Sequence, residues 1–177
     1  MPKKTKKSKG RIVAVSGAFD PIHIGHIRHM QEAKKLGDSL VVILNNDHWL
    51  RAKKGKEFMS EQERKEIVEA LACVDKVIIS SHPKNTKDMS VCKDLAKIKP
   101  HIFAKGGDRD EKNAENPESS LYKDIRMCKT LGIEMIFNVG KGGKIQSSSD
   151  LLKNYQKSIN KKAEKLLKKY HQHNRKK

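Results

Sequence analysis

At 177 residues the chain has room for one good hydrophobic core, which argues against a multidomain enzyme or a solenoid. Apolar residues make up 36% and charged residues 34%, yet the formal charge of +18 is concentrated at the ends, with +5 in residues 1–10, +9 in 153–177 and only +4 in 11–152. The longest apolar run, Leu40 to Leu44, is far short of the ~20 residues that cross a bilayer, and no apolar segment follows the basic start as a secretory signal requires. In chain order, Arg11 to Ser16 reads as a buried strand, Gly17 to Ile24 as a loop and Gly25 to Leu36 as a helix closed by Gly37. Leu40 to Leu44 is a second strand, followed by a long polar loop, Asn45 to Met59. Ser60 with Glu63 forms a capping box for a helix to about Ala72, its inner stripe Ile67, Val68 and Leu71. Val74 to Ser80 is a third strand, 87–98 a third helix and His101 to Ala104 a fourth strand. A glycine- and charge-rich loop, Gly106 to Pro117, leads to a helix ending near Leu131 and a strand Ile133 to Val139. After the loop Gly140 to Ser147, a long helix starts near Ser148 or Ser149 with Leu151, Leu152, Tyr155, Ile159, Ala163, Leu166, Leu167 and Tyr170 at helical spacing.

Strands alternating with helical segments are the signature of βαβ units. The expected fold is α/β, a doubly wound five-stranded parallel sheet of Rossmann-like type with a basic C-terminal helix. Its organisation is a disordered basic tail (1–10), a folded domain (11–152) and a basic helix and tail (153–177). Cys73, Cys92 and Cys128 are odd in number and too far apart for a metal or redox pair, so reduced thiols in a cytoplasmic protein are expected. Ligands of such sheets sit at the carboxyl ends of the strands, which places the chemistry in the loops Gly17–His26, Asn45–Met59, His82–Thr86, Ala104–Arg109 and Val139–Ser149.

The first of these loops reads SGAFDPIHIGH. His23 and His26, three apart across a helix start, can direct two imidazoles the same way, together with the N–H groups of the first turn. The helix dipole adds to this anion site, and Gly25 presents no Cβ to an approaching phosphate. Two surface histidines are the bland alternative; their setting directly after a buried strand favours the site.

GAFDPIHIGH resembles the signature of the HxGH nucleotidyltransferase superfamily, specifically the cytidylyltransferase-like enzymes. Further matches follow in order: KKGKEFMSEQERKEIVEALACVDKVI resembles the family's loop lysine, ER-containing helix and VD-strand, FAKGGDRD its glycine-aspartate loop, and KIQSSSDLL its serine-rich helix start. KGGD is especially like the heptose-phosphate adenylyltransferases. The resemblance covers about residues 11–152 and implies transfer of a nucleotidyl group from a nucleoside triphosphate to a phosphorylated small-molecule acceptor, with release of pyrophosphate. An acceptor phosphate is already ionised, so catalysis rests on positioning and on neutralising charge at the α-phosphorus. The resemblance assigns His23, His26 and Lys54 as catalytic groups, with Lys53 one residue from the matching position. It assigns nucleotide binding to Gly17, Ala18, Phe19, Asp20, Gly25, Arg64, Lys105, Gly106, Gly107, Asp108, Gln146, Ser147, Ser148 and Ser149. Arg64 is expected to fork onto β- and γ-phosphate oxygens, or else to pair with Glu61 or Glu66 on the helix surface. The serines are expected to hold phosphates, to cap the helix, or both. No protein metal site is expected; Mg²⁺ would be held by the triphosphate and water, with Asp20 orienting the motif.

The donor is CTP or ATP, CTP being slightly preferred from the family at large while KGGD leans to ATP through the heptose-phosphate enzymes; the alternative is an adenylyltransferase of heptose-phosphate or FMN type. Ala72 where an Arg usually stands, QSSS, and Pro21 after the Asp depart from the phosphocholine and glycerol-phosphate cytidylyltransferases and leave acceptor and base open. Trp49 either stacks on a base or acceptor or covers the core edge. A homodimer is expected from the family. Non-enzymatic nucleic-acid binding through the basic tails, or contact of the 150–170 helix with acidic lipid, are the competing readings, and His171 and His173 are weak metal candidates.

Overall fold

Both faces of the central strands must be covered if their side chains are apolar at every position, and a computed structural model of the chain, which describes residues 10–107, 116–140 and 146–174, shows how this is done. Strands β1 (Ile12–Gly17), β2 (Ser39–Leu44), β3 (Lys76–Ile79), β4 (Ile102–Ala104) and β5 (Glu134–Ile136) form one parallel sheet in the order β3-β2-β1-β4-β5. Val13, Val15, Leu40, Val42 and Leu44 face one way and pack with Met30 and Ala33 of helix α1 (Ile24–Lys34) and Val68 of α3 (Glu61–Glu69). Ala14, Ile43 and Phe103 face the other way, against Leu95 of α4 (Cys92–Ile98) and Cys128 of α5 (Ser120–Leu131). Alternate residues of each strand therefore serve opposite layers, as the pleat requires.

The expected α/β architecture is present. Between Asn45 and Met59, however, the chain is not a loop throughout: Asp47–Lys54 forms helix α2. Asn46 caps it, its side chain accepting from the Trp49 N–H at 2.9 Å, and Nδ2 of the same residue donates to the carbonyls of Ser80 and His82. Asp47 in the first turn and Arg51, Lys53 and Lys54 in the last complement the helix dipole. Only Leu50 of this helix is buried, so its polar composition conceals it. The helix expected over 87–98 is shorter and begins at Cys92, and the strand expected over Ile133–Val139 is limited to Glu134–Ile136. Ile67, expected on the inner stripe of α3, is exposed, while Val68 is buried. Ser60 and Glu63 form the expected reciprocal cap.

All three cysteines are free, and burial pushes the Cys128 thiol up to about 12, as befits a core side chain. The chain divides into two compact units, Met1–Ile145 and Gln146–Lys177; the second contains helix α6 (Ser148–Asn174). No helix among the described residues is long and apolar enough to cross a membrane. The N-terminal basic tail expected over 1–10 lies, apart from Gly10, outside the described residues.

Candidate active site

Strand order reverses between β1 and β4, and the carboxyl ends of these two strands, β1 at Gly17 and β4 leading into Lys105–Gly107, flank the crevice where such sheets take ligands. From Gly17, whose carbonyl accepts from the Asn45 N–H at 2.8 Å, the chain turns through Ala18 and Phe19 (φ 51°) and a cis Asp20–Pro21 peptide to His23. His23 caps α1 in an extended conformation, and the first helical bond is made by the His26 N–H to the His23 carbonyl at 2.9 Å. The Ile24 and Gly25 N–H groups precede that bond and have no acceptor within the helix.

The His23 and His26 rings are stacked, with centroids 3.7 Å apart and planes at 21°. Gly25 leaves room for this arrangement: a Cβ there would lie 3.1 Å from the His23 ring, a tight contact that would press on it. Buried Phe19 packs against the His26 ring in a T-shaped arrangement, with centroids 5.0 Å apart. The His23 N–H donates to His26 Nδ1 at 3.3 Å, so neutral His26 carries its proton on Nε2 and offers a donor there. Burial, with His23, His29 and Lys54 adding positive potential, lowers the His26 pKa to about 3; burial also lowers that of His23. His23 Nδ1 is buried with no hydrogen-bond partner among the described residues.

Lys54, at the end of α2, donates from Nζ to the Asp20 carbonyl at 3.2 Å, beside the histidine loop. Its pKa is lowered chiefly by burial and further by Arg64, against the Asp20 carboxylate. Lys53 is exposed. Asp20 is itself buried, and its two carboxylate oxygens accept from the Phe58 and Met59 N–H groups, both at 2.8 Å, so it fastens the segment between α2 and α3 to the histidine loop. Among the described residues no group of three or more His, Cys, Asp or Glu side chains could hold a metal ion, and these bonds engage Asp20 otherwise.

Arg64 differs from both expectations. Its guanidinium is buried and donates from Nε to the Met59 carbonyl (3.0 Å), from one terminal nitrogen to the Ala18 and Asn45 carbonyls (2.7 Å each), and from the other to Asp47 (2.7 Å). Four of its five N–H groups are thus spent on the protein, which makes it a tie under the histidine loop rather than a fork on phosphate. Lys105 is likewise an internal strut: its Nζ pairs with buried Asp124 at 3.1 Å, contacts Ser16 Oγ at 3.3 Å and lies 4.2 Å over the Phe103 ring. Trp49 is half-buried and donates from its ring nitrogen to the Met89 carbonyl at 3.1 Å.

Gly107 has φ 79° and open space where a Cβ would stand; Asp108 lies outside the described residues, as does the side chain of His173. Gly106 abuts a residue that the sequence reasoning passed over, His29, whose Nδ1 is 2.7 Å from the Val139 carbonyl and would be 2.8 Å from a Cβ on Gly106. His29 thereby joins α1 to the segments that follow β4 and β5. The signal was present as a third histidine at the same three-residue interval, His23, His26, His29. In the second unit, Ser147 caps α6, its Oγ accepting from the Asp150 N–H at 3.3 Å and its carbonyl from the Asp150 and Leu151 N–H groups; Ser148 and Ser149 form the first turn, and Gln146 precedes them.

Residues 14–156 match the family described as cytidylyltransferase-like. The bifunctional protein HldE of Pelobacter propionicus is 42% identical over 106 residues, covering 58% of this chain and 20% of that protein. The FAD synthase of Thermococcus sibiricus is 37% identical over 133 residues, covering 75% of this chain and 82% of that protein. Among solved structures, a lipopolysaccharide core biosynthesis protein from Thermoplasma volcanium superposes with a TM-score of 0.57 at 26% identity, over 74% of this chain and 98% of that one. The chain spans about a fifth of the length of the HldE relatives it matches. With 143 of its 177 residues inside the matched span and the HxGH histidines stacked at the head of α1, the chain belongs to the cytidylyltransferase-like family of the HxGH nucleotidyltransferase superfamily.

Proposed function

We propose that the protein transfers an adenylyl group from ATP to a phosphorylated acceptor. The supporting observation is the stacked His23–His26 pair at the N-terminus of α1 with Lys54 folded against the same loop. An acceptor phosphate oxygen attacks the α-phosphorus in line, the bond from that phosphorus to the α–β bridging oxygen breaks, and pyrophosphate leaves with the electron pair. Since the nucleophile is already an anion, no general base is needed. His26 Nε2–H, His23 and the Ile24 and Gly25 N–H groups donate to phosphate oxygens, and Lys54 neutralises charge gathering at the leaving group; one such donor is worth ~10²–10³ in rate. ATP enters as its Mg²⁺ complex, the ion held by phosphates and water.

ATP replaces the slight sequence-based preference for CTP for two reasons. KGGD resembles the heptose-phosphate adenylyltransferases, and FAD, the product named for the Thermococcus relative, contains an adenylyl group joined through a pyrophosphate linkage. The family resemblance alone assigns the base and ribose to Gly106, Gly107 and Asp108 and the β- and γ-phosphates to Gln146 and Ser147–Ser149. Gly17, Ala18, Phe19 and Asp20 shape the loop, with Arg64 and Lys105 as positioning residues. A phosphorylated sugar is the leading acceptor, in keeping with the lipopolysaccharide core biosynthesis neighbour; the FAD synthase relative supports FMN as the second. The test is pyrophosphate release from ATP or CTP with Mg²⁺ and a panel of sugar 1-phosphates and FMN. ATP-dependent release with one acceptor class is expected. CTP-only release would overturn the choice of donor, and silence with every pair would overturn the activity.

A further inference from the structure

Five of the eight large apolar side chains that are exposed among the described residues lie on one element, α6: Tyr155, Ile159, Leu166, Leu167 and Tyr170. At ~100° per residue, Leu152, Tyr155, Ile159, Ala163, Leu166 and Tyr170 fall within an arc of about 80° on a helix of 27 residues. Lys162 and Lys169 border this stripe, while Lys153, Lys157, Lys161 and Lys168 lie across from it. The helix holds seven lysines against Asp150 and Glu164, a net +5, and both acids sit on the face away from the stripe.

We infer that α6 is a membrane-surface helix that lies with its apolar stripe in an anionic bilayer. The charge pattern decides the occupant. A second copy of α6 would bring +5 against +5 with no acid beside the stripe to pair with the bordering lysines, so self-association is opposed. A nucleic acid would use the lysines and leave the stripe in water. An anionic bilayer uses both: the stripe enters the boundary between headgroups and acyl chains, Lys162 and Lys169 extend their stems along it to reach phosphates, and the two tyrosines place rings in the apolar layer with their hydroxyls in the headgroups. Each lysine near such a surface adds attraction that salt removes.

The test is co-sedimentation of the full chain with vesicles of phosphatidylcholine containing about one-third phosphatidylglycerol, and with vesicles of phosphatidylcholine alone. The expected result is sedimentation with the anionic vesicles only, reversed by high salt. Ile159→Ser with Leu166→Ser, which keeps every charge, should weaken it by about tenfold or more. Lys162→Gln with Lys169→Gln should weaken it while preserving the stripe. Helicity by circular dichroism and turnover on soluble substrates report that the variants remain folded. No sedimentation overturns the inference. So does sedimentation unchanged by the serine pair, which would mean charge attraction alone. A salt-sensitive complex with short RNA in place of vesicle binding, or a dimer in solution that the serine pair dissociates, would also overturn it and assign the stripe to another partner.

Discussion

Replacing Arg64 by Met separates a tie from a phosphate ligand. The substitution keeps most of the apolar stem but removes four donors, leaving the Ala18, Asn45 and Met59 carbonyls and the Asp47 carboxylate short of a partner. The Arg64 side chain of that ion pair is fully buried, and removing one member of a buried pair costs about 3–5 kcal/mol. Unsatisfied carbonyls cost ~1–3 kcal/mol each where water cannot reach them, and relaxation offsets part of the sum. A loss of about 4 kcal/mol overall lowers the melting temperature of a chain this size by about 10 °C. Arg64→Lys should fall between, since an ammonium has three donors and cannot span four acceptors. Urea titration and calorimetry measure the loss, and steady-state kinetics with varied ATP measure the function of the folded fraction. The reasoning is refuted if Arg64→Met unfolds at the wild-type urea concentration while the KM for ATP rises many-fold, because that is the behaviour of a phosphate ligand.

His26→Ala should lower kcat by ~10²–10³ without a large change in melting temperature, and Lys54→Ala should act in the same direction; near-normal turnover in either would count against its assigned role. The His26 pKa of about 3 against an ordinary 6.5 means that the unfolded chain takes up a proton in this interval and the folded chain does not. Stability of the ligand-free protein should therefore be retained above pH 6.5 and fall by up to about 1.4 kcal/mol per pH unit as the pH drops towards 3, a slope that urea titrations should show reduced in His26→Gln. Gly106→Ala drives a methyl into the His29 ring, whose Nδ1 is held by the Val139 carbonyl, and should cost ~1–3 kcal/mol. His29→Ala in the same chain should recover part of that loss, and strict additivity of the two would show that the contact is not what destabilises Gly106→Ala.

The sheet was legible because central parallel strands are apolar at consecutive positions and the capping of α3 uses two residues at a fixed interval. Helix α2 was not, because a helix that buries one leucine and shows lysines to water has the composition of a loop. The histidine pair was legible through spacing and setting. The destination of Arg64 was not, since its acceptors are backbone carbonyls from three separate segments plus Asp47, and carbonyls have no letter in the sequence. Lys105 misled for a related reason: its partner Asp124 is 19 residues further on, brought there only when α5 docks. His29 was readable as the continuation of an interval, but its role depends on Val139, 110 residues away.

Two neutral imidazoles face to face at 3.7 Å set a threshold for entry. Protonating His26 in the empty protein means charging a desolvated ring beside Lys54, and burial disfavours the charged form of His23 as well. Negative charge beside the pair lowers that cost, so anion binding and proton uptake are linked in sign at this site. The stacking thus makes the empty cluster neutral while leaving its donors aimed at the head of α1.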